Sequence, residues 1–255
     1  MPPSKGPQKT TVGELARKLR SEMTPLNPRF SYHLAYPIAE EDLRQYLHDP
    51  VAALPPTVAA LLPKVNLVLV PYLEKAGAKG PVSVVQTKPG EDKLALSTGL
   101  DNGDTATLFF TVKDEQVADY HYFLYDELAG LLAARMTEPV QDAWHRLLRE
   151  ELVGEVHGEV DERSWRQKQS LLRRPAAARR DGKPFRDYAR DSFHDTMTLF
   201  LHGICCDIDV DTGPRQLPSR FLRKRLEMLK GLFPPPEGHG VFPEDMHDIK
   251  SPART

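Results

Sequence analysis

Five side chains near the middle of this chain are of types that bind a metal ion or move a proton: His121, Asp126, Glu127, His194 and Asp195. Imidazole and carboxylate together suit zinc, iron or manganese. Their spacing limits how they can cooperate. His121 and Asp126 stand five positions apart, which points them in different directions on a helix. Asp126 and Gly130 lie one turn apart, but glycine has no side chain to offer. On a later segment Asp191, Asp195 and His202 share one helix face, with His194 between it and the apolar face. The alternative assignment makes Asp126 and Glu127 a solvated helix flank and His121 a partly buried core residue.

The elements that must carry these groups can be read from periodicity. Residues 105–112 form a β-rich run taken as an edge strand, and 115–136 an amphipathic helix. Val117, His121, Leu124, Leu128 and Leu131 make that helix's core stripe, widened by Tyr120 and Leu132. Further helices are expected at 11–23, 39–48 and 56–62, then at 138–172, 184–206 and 214–231. Strands are expected at 29–36, 65–72, 82–87 and 94–98. The short turn-rich joints after 65–72, 82–87 and 94–98 favour antiparallel neighbours, because a parallel return needs a longer crossover. The expected class is α+β, with a small antiparallel sheet of four to five strands in the N-terminal half packed against a helical C-terminal half. Residues 1–10 read as disordered, 11–233 as one α+β domain (strand-rich over 29–112, helical over 115–231), and 234–255 as a Pro/Gly-rich tail.

A strand leading into Tyr125-Asp126-Glu127-Leu128-Ala129-Gly130 resembles the way gluzincin-type zinc peptidases place an H-E-x-x-H helix after an edge strand. The segment from Asp191 through Phe193, Asp195 and Phe200 has the texture of E-x-F-A-E-x-F, where such enzymes keep a third ligand. The resemblance covers residues 65–206. It implies a zincin-like frame in which Glu127 matches the general base. It also implies that the two histidine positions are held by Asp126 and Gly130, so the zinc ligands are missing. The residues that the frame would gather into a groove are Tyr125, Asp126, Glu127, His194 and Asp195.

Other charged constellations compete for a role. Glu151, Glu155 and Glu159 stack at successive helical turns and read as a solvated face. Basic residues then dominate 163–190 and 215–230, among them Arg173, Arg174, Arg179, Arg180, Arg223 and Lys224, with Trp165 and Tyr188 as stacking groups. Such patches can track a phosphate backbone, or can be neutralised by the acidic residues just upstream. Adjacent Cys205 and Cys206 cannot easily bridge each other. Asp207, Asp209 and Asp211 read as a turn, and His239 and His247 as solvent-exposed.

Composition excludes little else. A net charge of -2 and a pI near 6.5 give no global bias towards nucleic acid or membrane. No apolar run approaches a membrane span, and the absence of a disulfide framework fits a cytoplasmic protein. The leading expectation is a non-catalytic, zincin-like module that binds a peptide or protein by strand addition, or self-associates. It needs no cofactor. One alternative is a metal-dependent hydrolase with Glu127 as base and zinc or iron held by Asp126, His121 and His194. Another is a nucleic-acid-binding accessory protein using the basic patches.

Overall fold

Residues 9–77, 80–173, 180–206 and 213–245 are described by a computed structural model of the protein. The chain is α+β. Its contacts cluster in two units, Met1–Ala52 with Leu62–Glu127, and Ala53–Leu61 with Leu128–Thr255. No helix among the described residues is long and apolar enough to cross a membrane. The Asp207–Asp211 turn, Arg174, Arg179 and His247 lie outside the described residues.

The first unit holds two sheets. Strands β1 (Thr10–Thr11), β5 (Tyr72–Lys75), β6 (Val82–Val85) and β7 (Leu94–Ala95) make an antiparallel sheet in the order β1-β6-β5-β7. Strands β2 (Thr24–Pro25), β3 (Phe30–Leu34), β4 (Lys64–Val70), β8 (Ser97–Asp101) and β9 (Thr105–Thr111) make a mixed sheet ordered β2-β3-β4-β9-β8. Here β3, β4 and β9 run parallel, and only the outer strands β2 and β8 are antiparallel to their neighbours. The antiparallel expectation therefore holds for one sheet and for the edges of the other. The connections across residues 35–63 and 71–104 are long enough to return the chain in the same direction, and both central pairs use them. Strand β9 lies inside the sheet, with β8 as the edge, which corrects the reading of 105–112 as the edge strand.

Pro71 separates the two sheets. It has no N–H for the ladder, so β4 ends at Val70 and the chain enters β5 at Tyr72. Buried Thr111 ties the sheets together, its Oγ1 accepting from Leu73 N at 3.0 Å and donating to Ala95 O at 2.7 Å. Thr10, expected to be disordered, pairs with Val84 of β6, and Lys9 reaches Glu74 at 2.7 Å.

Helix α1 (Val12–Lys18) begins at a capping box in which Thr11 and Glu14 satisfy each other's backbone. One face of the mixed sheet packs Val68, Val70 and Phe109 against Val12, Leu19, Leu73, Val84 and Ala95. The unit also holds α2 (Glu40–Leu43), a π-helical turn at Arg44–His48, α3 (Asp49–Ala52) and the start of α5 (Val117–Ala133), the last of which meets the other face of the sheet; α4 (Pro56–Leu61) belongs to the second unit. There Tyr120 sits edge-on to Phe110 at 5.2 Å and beside Tyr46 at 5.1 Å.

The second unit is helical: α6 (Glu138–Val153), α7 (Glu162–Leu172), α8 (Lys183–Cys205) and α9 (Ser219–Leu232). The helix expected over 138–172 is two helices. Glu155 and Gly158 take positive φ between them, and a Cβ at Gly158 would lie 2.1 Å from Gln216 O. That close approach lets the extended backbone at Glu159 bridge to Gln216. Glu159 thus leaves the helical stack assigned to it.

The break brings charge into the core. Arg225 of α9 is 0% exposed and bonds Glu151 through Nε (3.1 Å) and NH2 (2.6 Å). Its NH1 reaches Glu159 at 2.7 Å and Ser192 Oγ at 2.9 Å. Lys168 Nζ bonds Glu159 at 3.1 Å and Gly158 O at 2.8 Å, and the Tyr188 hydroxyl donates to Glu159 at 2.5 Å. Two carboxylates meet two cations, so the buried set is neutral. Glu151 and Glu159 are therefore not a solvated face, which corrects that reading, although Glu150 and Glu155 are exposed. Further along, the tail to Asp245 is fastened to α9: Asp245 caps Val241 and Phe242 and pairs with Lys230.

Candidate functional site

Among the described residues, strand β8 is paired on one side only, by β9. Thr111 N donates to Leu96 O at 2.9 Å, which makes that pair hydrogen-bonded. Alternation along an antiparallel ladder then turns Thr98 and Leu100 towards β9. The backbone N–H and C=O of Ser97 and Gly99 point the other way, off the sheet. Leu100 is 37% exposed beside them.

Glu127 reaches this edge from α5. The helix is aimed by the turn that follows β9, where Asp114 takes φ 63 and accepts from the Tyr72 hydroxyl. That bond, with burial, pushes the Tyr72 phenol up to about 12. Ser97 Oγ donates to Glu127 Oε1 at 2.8 Å. A Cβ on Gly99 would fall 2.9 Å from Glu127 Oε2, so glycine leaves room for the carboxylate to lie against the strand. The result is an acceptor carboxylate beside exposed backbone donors and acceptors, a setting suited to an extended chain.

Each of the other residues singled out above has partners of its own. His121 Nε2 bonds Gln45 O at 2.8 Å, which commits its ring to the π-helical turn. Tyr125 is 0% exposed and donates to Pro50 O at 3.1 Å; it is core and cannot line an open groove. Asp126 is half-buried. These three and Glu127 belong to the first unit, whereas His194 and Asp195 belong to the second.

In the second unit Asp195 is 4% exposed. It accepts Ser164 N at 3.0 Å and stands 3.4 Å from Arg163 Nε. Burial pushes its carboxyl up despite both partners. It is a buried anchor for the start of α7, and not a groove wall. Arg163 NH1 lies 2.8 Å from His194 Nδ1. A guanidinium can only donate, so Nδ1 is the acceptor.

His194 also explains the glycine at 130. A Cβ there would meet His194 Cε1 at 3.2 Å, so the imidazole occupies the space that a side chain at 130 would need. Gly130→Ala is expected to cost about 1 kcal/mol or more, despite alanine's better helix propensity. In a His194→Ala background the same change is expected to be neutral or stabilising. Urea melts of the four proteins give the coupling, and additive effects would contradict this packing.

The basic helices are largely paired internally. Arg166 meets Glu162 at 2.7 Å, Lys183 meets Asp187 at 2.5 Å and Lys224 meets Glu150 at 2.8 Å. Arg223 bonds Glu227 at 2.9 Å and also Glu244. Arg173 and Arg180 are exposed. Of the two stacking groups, Tyr188 is buried in the ionic core and Trp165 is covered by Arg215 at 4.7 Å.

Ser97 and Gly99 are absent from the expected site. Their signal is the break between Ala95 and Ser97, where one expected strand is two. No family model, curated protein or solved structure matches the chain.

Proposed function

We propose that this protein is a non-catalytic, zincin-like binding module that takes an extended segment of a protein partner along the open edge of β8. The observation that carries the reading is the pair of outward-facing backbone groups at Ser97 and Gly99 with the Glu127 carboxylate held beside them. An added strand would bond those groups, and Glu127 would accept a donor from the partner. The placing of Glu127 on a helix beside the antiparallel edge strand β8 supports the zincin-like frame. Gly130, closed over by His194, supports the loss of a ligand at that position. A cytoplasmic setting belongs to the proposal and is supported by Cys205 and Cys206 forming no disulfide.

Selection of displayed random peptides on the intact chain tests this reading. Peptides recovered on the wild type are expected to lose roughly tenfold or more in affinity for Gly99→Pro, which removes an outward N–H and blocks the edge. Circular dichroism checks that the variant folds, since edge strands accept proline where the N–H faces out. Affinity unchanged by Gly99→Pro would overturn the site. The hydrolase alternative, with Glu127 as base, instead predicts stoichiometric zinc or iron on elemental analysis and peptide cleavage that Glu127→Gln abolishes. Finding both would replace the binding reading.

A further inference from the structure

The mixed sheet changes character along its length. On the face turned to α1, Val68, Val70 and Phe109 are sealed in the core. Two and four residues earlier on the same strands and the same face stand Asn66, Lys64, Thr107 and Thr105, half-buried or exposed. Ser31 lies opposite Asn66 on β3, and Asn66 Nδ2 donates to Thr107 Oγ1 at 3.5 Å. A sheet face ordinarily buries apolar side chains against another layer. Here half of it is a polar floor under a cleft of about 1260 Å³ that α1 walls on one side. That exceeds the roughly 300–1000 Å³ of sites for small molecules.

Four cations line this cleft: Arg17 and Arg20 beyond α1's first turn, Arg29 before β3, and Lys64 at the start of β4. None of the four forms an ion pair among the described residues. Arg17 and Arg29 use a donor on the backbone, Nε to Gly13 O at 3.2 Å and NH1 to Leu62 O at 2.7 Å, which fixes the stems and leaves further donors in the fork. Asp101 and Asp104 also line it, and Asp104 O accepts Lys64 N at 3.1 Å, so Asp104 stands beside one of the four cations. Among the lining residues there is no aromatic side chain on which a base could stack.

We propose that this cleft, whose lining includes Gly99 and Leu100 of β8, binds an acidic peptide segment of a partner protein. Carboxylates along an extended chain meet Arg17, Arg20, Arg29 and Lys64, while Ser31, Asn66 and Thr107 hydrogen-bond its backbone. A continuous phosphate backbone fits less well, because no ring in the lining supports its bases. Gly13 faces open space, with nothing within 4 Å of where a Cβ would stand, so a side chain placed there enters the cleft.

The test is fluorescence anisotropy of the intact protein with a labelled oligo-glutamate peptide, against a labelled oligouridylate of matching length. Arg17→Glu with Arg20→Glu is expected to weaken peptide binding by roughly tenfold or more. Gly13→Leu, which keeps every charge, is expected to weaken it as well by filling the space. Arg223→Glu with Lys224→Glu makes the same change in net charge on α9 and is expected to leave affinity within about twofold. Circular dichroism and thermal melts confirm that each variant folds. Absence of peptide binding, equal loss in the α9 variant, or indifference to both cleft variants would overturn the site. Tighter binding of the oligouridylate than of the peptide would overturn the choice of occupant.

Discussion

Arg225→Met is expected to lower the stability of the second unit by about 3–5 kcal/mol, read as a large fall in urea midpoint. The guanidinium is fully buried and bonds Glu151, Glu159 and Ser192 at once. Methionine fills much of the volume but leaves Lys168 as the one cation of the set against two carboxylates. Removing one partner of a buried ionic set costs more than the set contributes, because the remaining charge has lost its solvent and its counterion. Arg225→Met combined with Glu151→Gln is therefore expected to recover part of the loss, since only one carboxylate then faces Lys168. A single variant within about 1 kcal/mol of the wild type would contradict the burial of this network.

The same network sets an acid limit. Burial alone would push the Glu159 carboxyl up. Arg225, Lys168 and Tyr188 more than reverse that and hold it at about 2, against an ordinary 4.5. Because the folded-state value lies below the unfolded one, the stabilisation is complete above about pH 4.5 and is lost as pH falls towards about 2, amounting to about 3 kcal/mol. Burial holds the Lys168 ammonium below the usual lysine range despite Glu159, a shift that acts on the alkaline side and leaves this acid window unchanged. Urea midpoints measured between neutral and acid pH are expected to fall over that window in the wild type. In Arg225→Met the guanidinium no longer holds the carboxyl down, so protonation relieves the unpaired charge. The difference between the two proteins is then expected to narrow as pH drops. A constant difference across the window would contradict the pairing.

How far the sequence can be read depends on whether a feature is local. The strand and helix across 105–136 are legible because alternation and helical periodicity are each set by adjacent residues. Whether β9 is edge or interior has a signal too. Leu108 to Val112 are buried without alternation, as a strand covered on both faces must be. Parallel pairing leaves no such mark, since it depends on where long connections return the chain. The helix expected over 138–172 fails at Gly154 and Gly158, the second of which makes a close approach to Gln216. With that break unread, Glu159 falls on a solvated face, when its partners lie on α7, α8 and α9. Glu127 is found through its place on α5, but Ser97 lies thirty residues away and only the fold joins them. The basic cleft is not legible at all: its cations come from α1, the 3-10 turn at Leu19–Ser21, the loop before β3 and the start of β4, with no spacing in common.

Two surfaces of one mixed sheet thus carry the proposed binding, an open edge at β8 and a polar, basic cleft on one face. The edge is the central claim, and residue-resolved amide hydrogen exchange tests it most directly. In the free protein the amides of Thr98 and Leu100, which face β9, are expected to exchange slowly, and those of Ser97 and Gly99 quickly. On saturation with a peptide selected on the intact chain, Ser97 and Gly99 are expected to become protected as a new strand bonds them. Slow exchange at Ser97 and Gly99 before any peptide is added, or protection elsewhere with these two amides unchanged, would contradict it.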